Sequence, residues 1–266
     1  MSSQIKNTAK KTSHKKIWLV GGSQGIGLAL TKQLLEQGNE LVVSARHAQQ
    51  NEQLMLLSQT YKKTLVLLDL DVSDKDSVNA AIHQAWSTFN GLDIWIYNAG
   101  AYKSMIIDEW DIEQFERMNQ VNYLGAIYLM QPLVKLFKQQ GHGQWLWNVS
   151  LSSDFGLPYG GAYSAPKAAL QNLAESIQPE LAKEGIQLKV VNHGFVKTRL
   201  TAQNDFAMLG LMEAETAATK IARTLESSRF ETRFPFNLAT ILGLIKRLPK
   251  SWALAITKKA LKDDVK

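Results

Sequence analysis

Short runs of consecutive apolar residues alternate along this chain with longer stretches in which apolar positions recur every three or four residues. The runs Ile17–Val20, Glu40–Ser44, Thr64–Leu68, Asp93–Tyr97, Gln144–Val149 and Gln187–Asn192 predict strands buried on both faces, because they lack the polar alternation of a half-exposed sheet. Helical periodicity predicts helices over Gly25–Gln37, Gln49–Gln59, Asp74–Phe89, Val121–Gln140 and Tyr163–Glu184. The alternation implies parallel strands with crossover helices, hence a doubly wound α/β sheet, here in one domain over residues 16–235. In such sheets ligands bind outside the carboxyl ends of the strands. Beyond it, Phe236–Ala260 combines Leu238, Ile241, Leu242, Leu244, Ile245 and Leu248 with Lys246, Arg247 and Lys250. Pro249 divides this segment, so residues 236–266 read as a C-terminal extension of two amphipathic helices.

Charge changes the picture only at the ends. The net charge is +6, yet residues 1–16 hold five lysines and no acid, and residues 246–266 hold seven Lys/Arg and two Asp, so the body between them is net acidic. A basic groove for nucleic acid is not expected. Residues 1–15 read as a flexible basic tail, and the basic C-terminal extension is suited to anionic lipid. The chain has no cysteine, and its five histidines are scattered without ligand spacing, so no disulfide, cysteine nucleophile or bound metal is expected. Met1–Lys16 lacks the apolar core of a signal peptide, and no apolar stretch reaches the ~18 residues of a membrane span. A cytoplasmic protein is expected, with peripheral membrane association through the extension as a further possibility.

The chemistry lies at two places. Lys16-Ile17-Trp18-Leu19-Val20 runs into Gly21-Gly22-Ser23-Gln24-Gly25-Ile26-Gly27 and then a helical pattern. An apolar strand, a glycine turn and a helix make a phosphate cradle: glycine permits positive φ and close backbone approach, and the helix aims free amides at the anion. Far downstream, Tyr163-Ser164-Ala165-Pro166-Lys167 follows Ser150 by thirteen residues. Together these features read as a nicotinamide-dependent oxidoreductase.

In these motifs, and in their order from about Lys16 to about Leu200, the chain resembles a short-chain dehydrogenase/reductase in its compact single-domain form, a Rossmann-type fold. The resemblance implies that Asp71 and Val72 contact adenine. It implies that Asn98, Ala99 and Gly100 pass the cofactor ribose, that Gly194 and Val196 wrap the nicotinamide and that Thr198 lies near the phosphates. Three positions depart from the family pattern: Val20 stands where threonine is usual, Tyr97 where asparagine is frequent, and His193 where proline is usual. His193 would loosen a rigid turn and places a titratable ring near the nicotinamide. At the end of the second strand the acid of an NAD-selective member is replaced by Ala45, and Arg46 follows. An arginine fork suits a 2′-phosphate, so NADP(H) is expected over NAD(H).

Carbonyl reduction needs a hydride donor and a proton donor. Tyr163 is the proton donor that the resemblance implies, with Lys167 one helical turn on. A lysine charge at ~4 Å would pull the phenol down from its usual value near 10 by up to about 3 units. Lys167 would also hold the nicotinamide ribose, and Pro166 is expected in the helix's tolerant first turn. Gly156-Leu157-Pro158 aligns the preceding loop so that Ser150 binds the substrate carbonyl, with Ser152 as the second choice. Asn122 matches a helix-distorting asparagine that helps Lys167 hold a relay water. Arg199–Met212 occupies the variable substrate lid, and its Leu200, Phe206, Met208, Leu209, Leu211 and Met212 suit an apolar carbonyl or alcohol substrate or simply pack the lid down. The extension would pack on its own domain, on a second subunit of a homo-oligomer, or on lipid. The rival to an enzyme is a non-catalytic NADP-binding module that reports redox state, for which Ser150, Tyr163, Lys167 and Asn122 together would be unnecessary.

Overall fold

A computed structural model describes residues 14–206, 208–259 and Leu261; most of the basic N-terminal segment and the last residues of the extension lie outside the described residues. Strand β1 (Lys16–Val20) leads into helix α1 (Gly25–Glu36). Then follow β2 (Glu40–Ala45), α2 (Glu52–Thr60), β3 (Leu65–Asp69), α3 (Lys75–Thr88) and β4 (Ile94–Tyr97). Helix α4 (Ile112–Asn119) passes through a π-helical turn, Gln120–Leu124, into α5 (Gly125–Gln140). The chain continues with β5 (Gly143–Asn148), α6 (Gly161–Lys183), β6 (Ile186–His193), α7 (Ala214–Glu226) and β7 (Glu231–Phe234). The extension forms α8 (Phe236–Arg247) and α9 (Lys250–Lys258), divided at Pro249 as expected.

The strands form one seven-stranded parallel sheet in the order β3-β2-β1-β4-β5-β6-β7. The order reverses at β1 and β4, and the crevice at their carboxyl ends is the expected ligand position. Alternate residues of each strand feed opposite layers. Trp18 and Val20 join Trp95, Tyr97, Trp145 and Trp147 in the layer closed by α3, α5 and α6. Ile17 and Leu19 join Leu41, Val43, Ile96 and the layer closed by α1 and α7. Trp95 meets Trp145 and Trp147 edge to face at centroid distances of 5.0 and 6.0 Å. The indole N–H groups of all three are buried without an oxygen or nitrogen acceptor.

Three elements differ from the pattern reading. Strand β7 reads Glu-Thr-Arg-Phe, an edge strand whose charged side chains enter a polar network, so no apolar run marks it. Helix α7 buries Ala217, Ala218, Ile221 and Ala222, an apolar stripe too small in volume to stand out. The helix expected over Val121–Gln140 begins nine residues earlier, because Asp111 caps α4 by accepting from the amides of Glu113 and Gln114 at 3.0 and 3.2 Å. In addition α6 starts at Gly161, which puts Pro166 in the helix interior and not in its first turn. The proline therefore leaves the Ala162 carbonyl without its helical donor.

Lys189 on β6 is buried, and its ammonium donates to the carbonyls of Thr224 (3.2 Å), Leu225 (2.9 Å) and Ser227. It thereby caps the end of α7 from inside the protein. Replacing Lys189 by Met should lower unfolding free energy by about 1.5–3 kcal/mol, because carbonyls lose a charged donor in a buried place. Urea unfolding measures this; a change under about 0.5 kcal/mol would contradict the capping role.

Candidate active site

One cavity of about 840 Å³ opens at the carboxyl ends of β1, β2, β4, β5 and β6, a size typical of cofactor and small-molecule sites. Among the candidate cofactor and catalytic residues only Gly27 and Asn122 do not line it. Gly27 has a packing role: a Cβ there would lie 2.0 Å from the Gly21 carbonyl oxygen and 2.7 Å from Asn98 Nδ2. Gly21 itself has φ 91° and a Cβ on it would meet the Ala99 backbone at 2.6 Å. The glycine turn is thus pressed against the 98–100 loop, and Asn98 Nδ2 donates to the Gly21 carbonyl at 2.7 Å. Turn and β2 are joined too, since the amides of Gly21 and Gly22 both donate to Ser44 O. Those two bonds fix the turn where the usual threonine is replaced by Val20.

The residues fit a dinucleotide phosphate. Helix α1 has Gln24 at its N-cap without any side-chain cap, and no acid in its first turn. Its leading amides therefore have no partner from a capping side chain, and Gly25 and Ile26 line the cavity. Arg46 is exposed on the cavity wall at the end of β2, and its charge helps hold the Asp71 carboxyl down. Burial raises the Asp71 pKa, but the Ser73 hydroxyl and amide donated to Oδ1, then Arg46 and Arg117, bring it below the usual carboxylate range.

Tyr163, Ser150 and Lys167 converge on the same cavity. Ser150 Oγ accepts from the Ser152 amide at 3.2 Å and the Ser152 hydroxyl at 3.0 Å, and it stands near enough to the Tyr163 phenol to lower the phenol's pKa. Ser152 is therefore the support of Ser150. The phenol differs from expectation. Burial raises Tyr163 to about 12, the Ser150 hydroxyl offsets this only in part, and neighbouring Tyr102 adds to the rise. Lys167 does not pull it down: its ammonium donates to the Asn148 carbonyl at 2.9 Å, 6.0 Å from the tyrosine ring centroid, and burial brings the ammonium itself down to about 8. Desolvation outweighs the charge attraction in both groups.

Asn122 lies in the π-helical turn, wholly buried. Its amide accepts from Ala101 N at 3.0 Å and donates to Ala101 O at 2.8 Å, so it fixes the loop after β4 from behind the cavity. Tyr97 is explained at the same place: its hydroxyl donates to Val121 O at 2.5 Å, holding a carbonyl of the turn.

A model of the short chain dehydrogenase family matches residues 15–207. The chain belongs to this family. An uncharacterized oxidoreductase of Staphylococcus aureus strain MW2 is 30% identical over 185 residues, covering 69% of this chain and 79% of that protein. Among solved structures, a short chain dehydrogenase from Burkholderia cenocepacia in complex with NADP has a TM-score of 0.78 at 20% identity, covering 94% of this chain and 99% of its own. An alcohol dehydrogenase from the archaeon Thermococcus sibiricus, complexed with 5-hydroxy-NADP, has a TM-score of 0.74 at 25% identity over 84% of this chain and 96% of its own. The protein is accordingly an NAD(P)-dependent short-chain oxidoreductase acting on CH–OH or C=O groups.

Within that family site, Tyr102 had no sequence signal. Tyr102 stacks edge-on against Tyr163 at 5.1 Å and donates to Asn204 of the lid at 2.9 Å. Gln203 donates to the Tyr102 carbonyl at 2.9 Å, a second lid contact. Leu238 and Leu242 of α8 also line the cavity, so the extension packs on its own domain and forms part of the wall. His193 stacks on Phe234, and burial lowers it to about 4, with the Gly194 carbonyl bond opposing and the Lys167 charge reinforcing the fall. A carbonyl only accepts, so Nδ1, 2.7 Å from Gly194 O, carries the proton. The folded pKa lies below the free value of 6.5, so stability contributed by neutral His193 is lost as pH falls from about 6.5 towards 4. The His193 ring proton resonances, assigned by comparison with His193→Gln, should stay constant between pH 8 and about 5.5. A titration midpoint near 6.5 would contradict this burial.

Proposed function

We propose that this chain is an NADP(H)-dependent carbonyl reductase or alcohol dehydrogenase for an apolar substrate, with Tyr163 as proton donor and Ser150 as oxyanion partner. The observation that carries the reading is the convergence of Ser150 and a half-buried Tyr163 phenol, kept protonated by desolvation, in the cavity where α1 presents its amides. When bound, a reduced nicotinamide supplies the hydride. Because Ser152 donates to Ser150 Oγ, the Ser150 proton is left to point at Tyr163 or at a substrate carbonyl oxygen. Tyr163 then delivers its proton to that oxygen as the carbonyl becomes an alcohol, and Ser150 stabilises the developing negative charge. Lys167 would hold the nicotinamide ribose, and Asn122 acts by fixing the loop that passes it.

Arg46 at the end of β2, with Ala45 in place of an acid, supports NADP(H) over NAD(H). The NADP bound by the Burkholderia protein and the 5-hydroxy-NADP bound by the Thermococcus enzyme point the same way. The apolar substrate rests on Leu151, Leu157, Phe195, Phe206, Leu238 and Leu242 in the cavity wall.

NADPH oxidation with a panel of long-chain and cyclic aldehydes and ketones tests the activity; no turnover with any member would overturn it. Ser150→Ala should lower kcat by ~10²–10³, as loss of an oxyanion donor does, and Ser152→Ala by about tenfold or less. The reverse ranking would reassign the serine. NADPH should bind at least about tenfold more tightly than NADH, and Ala45→Asp with Arg46→Leu should erase that ratio. Equal dissociation constants in the parent protein would refute the cofactor assignment.

A further inference from the structure

We propose that the outer face of α8 and α9 docks in plane on an anionic lipid surface. The two helices are apolar on more than the side they bury. Leu238, Ala239, Leu242 and Ile245 pack on Leu151, Phe155, Leu157 and Phe195, with Ala253 of α9 in the same cluster. Yet Phe236 is 84% exposed, Leu244 60%, Trp252 65% and Leu254 60%, with Ile241, Ile256 and Leu261 also exposed. A helix that only packed on its own domain would carry polar residues there. On α8, Ile241 and Leu244 share one stripe by helical spacing; on α9, Trp252 and Ile256 share another. Isolated exposed apolar side chains are ordinary, but seven within 26 residues of two consecutive helices are more than packing on their own domain accounts for.

Charge selects the partner. Residues 236–261 contain Lys246, Arg247, Lys250, Lys258 and Lys259 and no acid. Lys246 pairs with Asp154 at 3.5 Å, but the segment keeps an excess of cations that a second copy would set against its own and that an anionic bilayer complements. An exposed tryptophan beside lysines suits the boundary between headgroups and acyl chains. No helix among the described residues is long and apolar enough to cross a membrane, so the contact lies along the surface. The inner side of the same α8 lines the cavity through Leu238 and Leu242, which places the docked face next to the substrate wall. Docking itself does not depend on the proposed activity.

The test is co-sedimentation of the full chain with vesicles of phosphatidylcholine alone and of phosphatidylcholine with phosphatidylserine, alongside sedimentation velocity without lipid. Binding to the anionic vesicles at low salt, largely lost at ~0.5 M salt, is expected. Leu244→Glu with Trp252→Glu should weaken it by at least about tenfold, since both place a charge against the bilayer. Leu56→Glu, at an exposed leucine on α2, should leave it unchanged. An unaltered thermal midpoint and NADPH affinity would show that the double variant is folded. No vesicle binding at low salt overturns the proposal, as does binding that the double variant leaves intact, which would move the contact to the basic N-terminal segment. A double variant that turns an oligomer into monomers, with no lipid binding by the parent, would assign the face to a second copy.

Discussion

The side-chain amide of Asn192 is the junction on which the site depends. Wholly buried on β6, it accepts from the Ser150 amide at 3.1 Å and donates to Gln171 Oε1 at 3.0 Å and Glu231 Oε1 at 2.6 Å. Those three contacts join the serine loop after β5, the helix that carries Tyr163 and Lys167, and the edge strand β7. Glu231 passes the connection on to Arg233, which pairs with the buried Asp154 carboxylate and donates to Ala239 O of α8 at 3.3 Å. One amide, using both its donor and its acceptor, thus ties the candidate catalytic groups to the wall of the cavity. No apolar residue of that shape could meet these partners, and the Ser150 amide and Gln171 Oε1 would lose the bonds it makes to them.

Burial also sets the electrical state of the site. Tyr163, Lys167 and His193 stand close together, and desolvation pushes each towards its neutral form. For Tyr163 this favours the protonated phenol that a carbonyl reduction consumes. For His193 it removes a cation from the neighbourhood of Lys167, so a histidine in the usual place of proline introduces no second positive charge. Its packing on Phe234 gives the turn a different support from the ring constraint of proline.

The sequence exposed those parts of the molecule whose constraints are local. Gly21, Gly25 and Gly27 are close in the chain and answer to one turn; Tyr163 and Lys167 answer to one helical turn; the first six strands are plain apolar runs. Hidden were the parts set by distant partners. Tyr102 acquires a role only through Tyr163 and Asn204, respectively 61 and 102 residues away. Strand β7 is written in charged residues because its neighbours are Asp154 and Asn192, and the π-helical turn shows in sequence as nothing more than Asn122. The expected effect of Lys167 on the phenol failed for a related reason: spacing places two groups on one helix face, but the depth of burial and the Asn148 carbonyl decide where the ammonium goes.

In the proposed reaction a phenol kept protonated by its surroundings is spent as the acid of carbonyl reduction. Steady-state turnover of Tyr163→Phe with NADPH and an accepted carbonyl substrate, measured beside its NADPH dissociation constant, tests this most directly. Loss of turnover on the order of 10³ or more with cofactor affinity within about twofold of the parent is the predicted result, because the change removes the proton and leaves the cradle. Near-parental turnover in that variant would contradict it.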